Sequence, residues 1–187
     1  MVRYQLQQST NDGAFTDVAL LSETATSVNP SLEAGKTYQF QVRAQDGADN
    51  WGAWKTGPAF AVDLRQEDYQ AVSYSGTWAL RSTPTASGGY VKHASAAGAR
   101  ARFSFAGKNV AWVASMGSNR GKAEVWVDGA KAATVDLYSA TAQPRKMLFT
   151  KSWGTSGNHV LEVRVLGTKN ASSSGKQVDV DAFVALR

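Results

Sequence analysis

Lys122-Ala123-Glu124-Val125-Trp126-Val127-Asp128-Gly129 decides the fold class. Val125 and Val127 fall on one side of an extended chain, and Glu124, Trp126 and Asp128 on the other, which is the two-residue period of a strand with one buried face. Asp128-Gly129 then supplies a turn. Working outward, the same alternation returns: Phe103 and Phe105 oppose Arg102 and Ser104, and Leu161, Val163 and Val165 oppose Glu162 and Arg164. Candidate strands are Gln70–Ser75, Gly89–Ala94, Ala99–Phe105, Val110–Ser115, Lys122–Val127, Ala132–Tyr138, Lys146–Lys151, His159–Leu166 and Val178–Leu186. Turns are expected at Gly88-Gly89, Ala106-Gly107-Lys108, Gly117-Ser118-Asn119, Asp128-Gly129, Gly154 to Gly157 and Ser172 to Gly175. Helix signals are nearly absent. So many short strands cannot bury both faces of one open sheet, so the pattern predicts a two-sheet antiparallel jelly roll over 65–187.

Upstream, residues 1–64 form a separate β unit. Tyr4-Gln5-Leu6-Gln7 alternates, Asn11-Asp12-Gly13 turns, and Phe15 to Leu21 returns. Tyr38-Gln39-Phe40-Gln41-Val42-Arg43-Ala44 places Tyr38, Phe40, Val42 and Ala44 on one side, which is expected to be a core face. Together with Leu32, six residues before Tyr38, and the run Ala44 to Gly52 leading into Pro58 to Val62, this stretch resembles the second half of a fibronectin type III domain. The resemblance begins at that family's third strand. Its first two strands have no counterpart, so the expectation is either that the sequence is a truncated piece or that a neighbouring domain or subunit covers the bare face and edge, a homo-oligomer being one form of the latter. Asp63-Leu64-Arg65-Gln66-Glu67-Asp68 reads as a short polar connection.

The later half resembles the galactose-binding-like jelly-roll modules appended to secreted bacterial glycosidases, peptidases and cell-wall amidases. The residues that carry it are Gly76-Thr77-Trp78, Gly88-Gly89, the Ala101 to Gly107 strand, Val110-Ala111-Trp112, Arg120 to Gly129, Val135 to Ser139, Gly157 to Val163 and Val178 to Phe183. The resemblance implies a binding fold whose ligands are diverse.

Composition bounds the function. Apolar residues make up 43% of the 187 and charged residues 19%, enough to bury a core, and with no Cys there is neither a disulfide framework nor a cysteine-based metal site. Residues 1–65 hold five Lys/Arg and seven Asp/Glu, residues 66–187 fifteen and eight, so the basic character lies in the later half. Such a domain suits polysaccharide or cell-wall glycan partners. The basic residues are scattered over nearly every strand, which argues against sequence-specific nucleic-acid recognition. No apolar window is long enough to span a bilayer. A secreted or cell-surface location is expected.

Catalytic constellations are missing: the two His, His93 and His159, are not at metal-ligand spacing, and no nucleophile elbow occurs. Asp179 and Asp181 share a strand face about 7 Å apart, a spacing open to paired-carboxylate chemistry but read as structural. The resemblance implies that such a last-strand Asp can join an early acidic residue, Glu67 or Asp68, around a structural Ca²⁺, with no other cofactor expected. Sugar recognition needs a ring to stack on a pyranose and polar groups around it. Trp78, Tyr90, Tyr138 and Trp153 at strand ends or loops, and Trp126 opposite the core valines, are candidate rings, whereas Trp112 is expected in the core. Asn119, Arg120 and Arg145 are the candidate polar contacts.

Overall fold

The computed structural model describes residues 3–187 and contains strands and turns, with no helix among them. The chain divides into two compact units, Met1–Asp63 and Leu64–Arg187.

The first unit holds β1 (Arg3–Thr10), β2 (Thr16–Val18), β3 (Thr37–Gln45), β4 (Lys55–Thr56) and the start of β5 (Phe60–Gln66), which carries the chain into the second unit. The stretch read as a polar connection is therefore largely strand. Asn11 and Asp12 adopt φ of 51° and 58° and close the β1–β2 turn, left-handed conformations that Asn and Asp tolerate better than other side chains. β1 lies antiparallel to β3, with Gln5 opposite Arg43 and Leu6 opposite Val42. On the polar face the Arg43 guanidinium donates to Gln5 Oε1 and sits 4.6 Å from the rings of both Trp51 and Trp54. The apolar face departs from the expected continuous core. Tyr38 is buried, its hydroxyl accepting the Glu33 N–H at 2.8 Å, yet Val42 is 40% exposed and Ala44 is open. Tyr4, Leu6 and Val42 instead line a groove of about 400 Å³ with Leu20 and Val28. The Phe15 to Leu21 strand shortens to three residues, and Leu21 projects fully into solvent.

The second unit contains β6 (Val72–Ser75), β7 (Ala79–Ser82), β8 (Tyr90–Ala94), β9 (Arg100–Met116), β10 (Gly121–Val127), β11 (Ala130–Asp136), β12 (Gln143–Lys169), β13 (Val178–Val180) and β14 (Ala182–Leu186). Strands β11, β10, β12 and β9 are neighbours in that order, β6 and β14 add to different halves of β9, and β13, β8 and β7 form a three-stranded sheet. Two pairs of expected strands are single long ones. The ladder runs on through Gly107 and across a register slip between Ser152 and Gly157 without ending. Gly107 lets the end of β14 approach closely, since a Cβ there would lie 2.6 Å from the Leu186 carbonyl oxygen. The expected Val178–Leu186 strand breaks at Asp181, its first part pairing with β8 and its second with β9. β7 was not expected, since exposed Ala79 and Leu80 spoil its alternation.

The core lies where the alternation placed it. Phe103 stacks between Phe105 and Phe183 at ring separations of 5.2 and 5.0 Å, and Trp112, Leu161, Val125 and Val163 are fully buried. Asp128 and Gly129, at φ of 52° and 82°, form the tight β10–β11 turn that matches strand twist.

Candidate functional site

Three loops gather at one end of the second unit: 117–120, 137–142 and 170–177. Gly117 N–H donates to Leu137 O (3.1 Å), Ser139 N–H to Gly117 O (3.1 Å), Ser174 N–H to Ser118 O (2.8 Å) and Gln177 N–H to Asn119 O (3.2 Å). The buried Ser173 hydroxyl donates to Arg120 O at 2.7 Å. Gly175 and Gly121 let the loops touch, since a Cβ on either would lie 2.6 Å or less from a carbonyl oxygen of the facing loop. Main-chain bonds of this density hold loop side chains in place.

Beneath the loops lies a buried polar network. Asp179 is completely buried, accepts the Ser115 N–H at 2.9 Å, and has its other oxygen 2.9 Å from Nη1 of Arg120 in an ion pair, with Arg81 Nη2 at 3.8 Å. Burial lowers the pKa of Arg120 from its ordinary value, opposed by the Asp179 charge. Gln177 Oε1 accepts from both Arg81 (2.8 Å) and Arg120 (2.7 Å), which fixes its amide orientation. Its Nε2 must then donate to His93 Nδ1, 3.0 Å away, so the proton of a neutral His93 sits on Nε2. Burial, aided by the Arg81 charge, holds the His93 pKa below the usual imidazole range and favours that neutral form. A set of oriented donors results, with Arg81 partly open to solvent.

The candidate residues scatter. Asn119 is exposed, Tyr138 is half-buried in the adjoining loop bridged to Gly117, and Arg145 is exposed just past Gln143, which pairs with Met116 at the end of β9. These three belong to the loop end. Arg120 is corrected: only 8% exposed, its guanidinium serves Asp179 and Gln177 inside the fold. Trp78 packs on Tyr74 at 5.1 Å and donates to Ser75 O. Trp153 stacks on His159 at 3.8 Å beside Phe105, at the register slip of β12, and Asp128 accepts from His159 there at 2.8 Å. Trp126 lies on the outward sheet face beneath Arg164, 3.7 Å away, and Tyr90 is exposed on β8. Arg81, His93 and Gln177 were missed, because their contacts join residues as far as 96 apart and no local motif announces them.

The carboxylates also separate. Asp179 faces two guanidiniums and is corrected as a metal ligand, since that charge already balances it. Asp181 is fully buried and accepts the Ser87 N–H at 2.8 Å, Glu67 is buried and Asp68 exposed. Glu67 Oε2, Asp181 Oδ2 and Gln66 Oε1 are buried oxygens without a hydrogen-bond donor. Burial raises the pKa of both carboxyls; neighbouring Asp68 and Asp181 push Glu67 further up, and Asp179 does so for Asp181. An all-oxygen set of this kind fits a hard cation. No three His, Cys, Asp or Glu side chains that could hold a metal converge among the described residues. Neither Asp179 nor Asp181 faces a cleft, because both are fully buried.

No family model matches the chain. It is 32% identical over 108 residues to the A type blood alpha-D-galactosamine galactosaminidase of Flavonifractor plautii, covering 58% of this chain and 10% of that protein. It is 29% identical over 124 residues to the A type blood N-acetyl-alpha-D-galactosamine deacetylase of the same organism, covering 66% of this chain and 16% of that protein. The chain thus spans a small fraction of each relative's length. Among solved structures, a two-domain esterase active on acetylated mannans, co-crystallized with mannopentaose, superposes with a TM-score of 0.51 over 67% of this chain and 36% of its own, at 17% identity. That likeness is one of fold, an antiparallel all-β architecture.

Proposed function

We propose that the chain is a non-catalytic carbohydrate-binding module of a larger secreted or surface protein, with the loop end of the second unit as its ligand surface and a fibronectin-type spacer before it. The observation that carries this reading is the buried Arg120–Asp179–Gln177–His93 network, which, with the main-chain bonds from Gln177 to Asn119 and from Gly117 to Leu137, fixes the loops that carry Asn119 and Tyr138. Further support comes from the two relatives. Their names describe different reactions on galactosamine-type sugars, and a segment common to both is better suited to holding a glycan than to either reaction. A structural Ca²⁺ held by Glu67, Asp181 and Gln66 belongs to this proposal; its chemistry is to neutralise buried carboxylates and pin the 83–89 loop.

A glycan array and polysaccharide pull-down test the reading. Retention of a neutral or amino-sugar glycan, lost in Tyr138→Ala and Asn119→Ala but kept in Trp78→Ala and Trp153→Ala, supports it; retention of no glycan at low salt rejects it.

The open groove along Tyr4, Leu6 and Val42 favours a second reading, an adhesion or assembly module whose first unit is completed by a neighbouring chain. Light scattering after size exclusion decides it, since a monomer across the accessible concentration range excludes completion by a second copy.

A further inference from the structure

The outward face of the sheet formed by β11, β10, β12, β9 and β6 carries more cation than its partners balance. Cross-strand register sets Ser73, Arg102, Glu162, Trp126 and Lys131 in one row and Ser75, Arg100, Arg164, Glu124 and Thr134 in the next. Arg100 stands directly opposite Arg164, an arrangement of like charges that destabilises an antiparallel pair unless an anion intervenes. Only Glu162 intervenes. Its side chain is 7% exposed, contacted by Arg102 Nε at 3.2 Å, by Arg100 Nη1 at 3.8 Å, and by Arg164 Nε on the same oxygen as Arg100. Glu124, opposite Arg164, feels its charge but is hydrogen-bonded to Lys131 Nζ at 2.6 Å and Trp126 Nε1 at 3.0 Å, so two carboxylates face the four cations Arg100, Arg102, Arg164 and Lys131.

One carboxylate offers about four acceptor sites, whereas three guanidiniums present about fifteen N–H groups. The donors of Arg100 and Arg102, about half exposed, are therefore mostly unspent and point outward. Burial of Glu162 at their base orients them, which a scattered basic surface does not do. We propose that this face is a second binding surface, taking the carboxylate or sulfate groups of an acidic polysaccharide. Arg100 is about 5 Å from its cross-strand partner and about 7 Å from Arg102 along the strand, so acidic groups on one chain of sugars can engage several forks at once. Nucleic acid fits less well. Trp126, the one aromatic ring in the two rows, lies under Arg164 and offers no stacking platform for bases. The proposal shares no residue with the loop end and stands apart from that reading.

The test is affinity electrophoresis and calorimetry of the full chain with heparin for sulfate, polygalacturonic acid for carboxylate, dextran as neutral control and a single-stranded oligonucleotide of matched charge. Binding to either acidic polymer, weakened about fivefold in Arg100→Gln and with the salt slope reduced by about one, supports the proposal. Tyr138→Ala should leave this binding unchanged, which separates it from failure of the loop-end reading. Arg100→Gln keeps Arg102 and Arg164 on Glu162; should it fail to fold, Ser75→Glu, placed opposite Arg100, makes the same test by adding a competing carboxylate. Absence of acidic-polymer binding, affinity unchanged in both variants, or equally tight binding of the oligonucleotide overturns it.

Discussion

Asp179 and Arg120 form the most heavily buried charge pair of the second unit, and each depends on the other to be inside at all. Replacing Asp179 by Ala strands a buried guanidinium and frees the Ser115 N–H, so unfolding in urea should show a loss of about 3–5 kcal/mol. Glu67 and Asp181 work the other way. Both have pKa values raised by burial, so the folded protein retains protons that the unfolded chain has released. Their contribution to stability is full below about pH 4, the unfolded carboxylate range, and is lost as pH climbs through the raised folded values. In chelator, the pH-dependence of melting temperature in wild type should therefore fall more steeply with rising pH than in Glu67→Gln. Calcium at about a hundred times its Kd should return about 2.7 kcal/mol at neutral pH and little in acid, where the carboxyls hold protons. A melting curve indifferent to calcium at neutral pH contradicts the cation assignment. The Glu67–Asp181 cation site was an expectation of the family resemblance, whereas the pairing of Asp179 with Arg120 was not visible in the sequence, where Asp179 and Asp181 looked like a matched pair two residues apart. The strand break at Asp181 gives them different partners.

Among the elements, strands whose alternation was strict were legible: β10, with Val125 and Val127 inward, and the Phe103 and Leu161 segments behave as their period requires. Their lengths were not legible. Gly107 and the Ser152 to Gly157 slip read as turns because glycine ordinarily ends strands, yet here the pairing continues through them and Gly107 admits the close approach of Leu186 O. Gly107→Ala should accordingly cost about 1–3 kcal/mol, as an added atom forced against Leu186 O, measured by chemical denaturation; a neutral result would mean that the approach of β14 does not depend on the missing side chain. Asn119, Tyr138 and Arg145 were singled out from their turn context and lie at one end of the second unit, whereas Arg81, His93 and Gln177 required knowing that β7, β8 and the approach to β13 meet. Such contacts are set by sheet pairing, which local periodicity does not encode.

At the scale of the molecule, the second unit presents two chemically distinct surfaces: a hydrogen-bonded polar network beneath the loop end, in which Asp179 offsets Arg120, and an over-supplied guanidinium ladder on the outward sheet face. The first unit adds an apolar groove lined by Tyr4, Leu6, Leu20, Val28 and Val42. The most direct measurement of the central claim is a glycan array probed with wild type, Tyr138→Ala and Arg100→Gln at low and moderate salt. The account predicts neutral-glycan signals that vanish in Tyr138→Ala and persist in Arg100→Gln at both salt concentrations. An array on which wild type retains no glycan, or on which Tyr138→Ala matches wild type throughout, would contradict it.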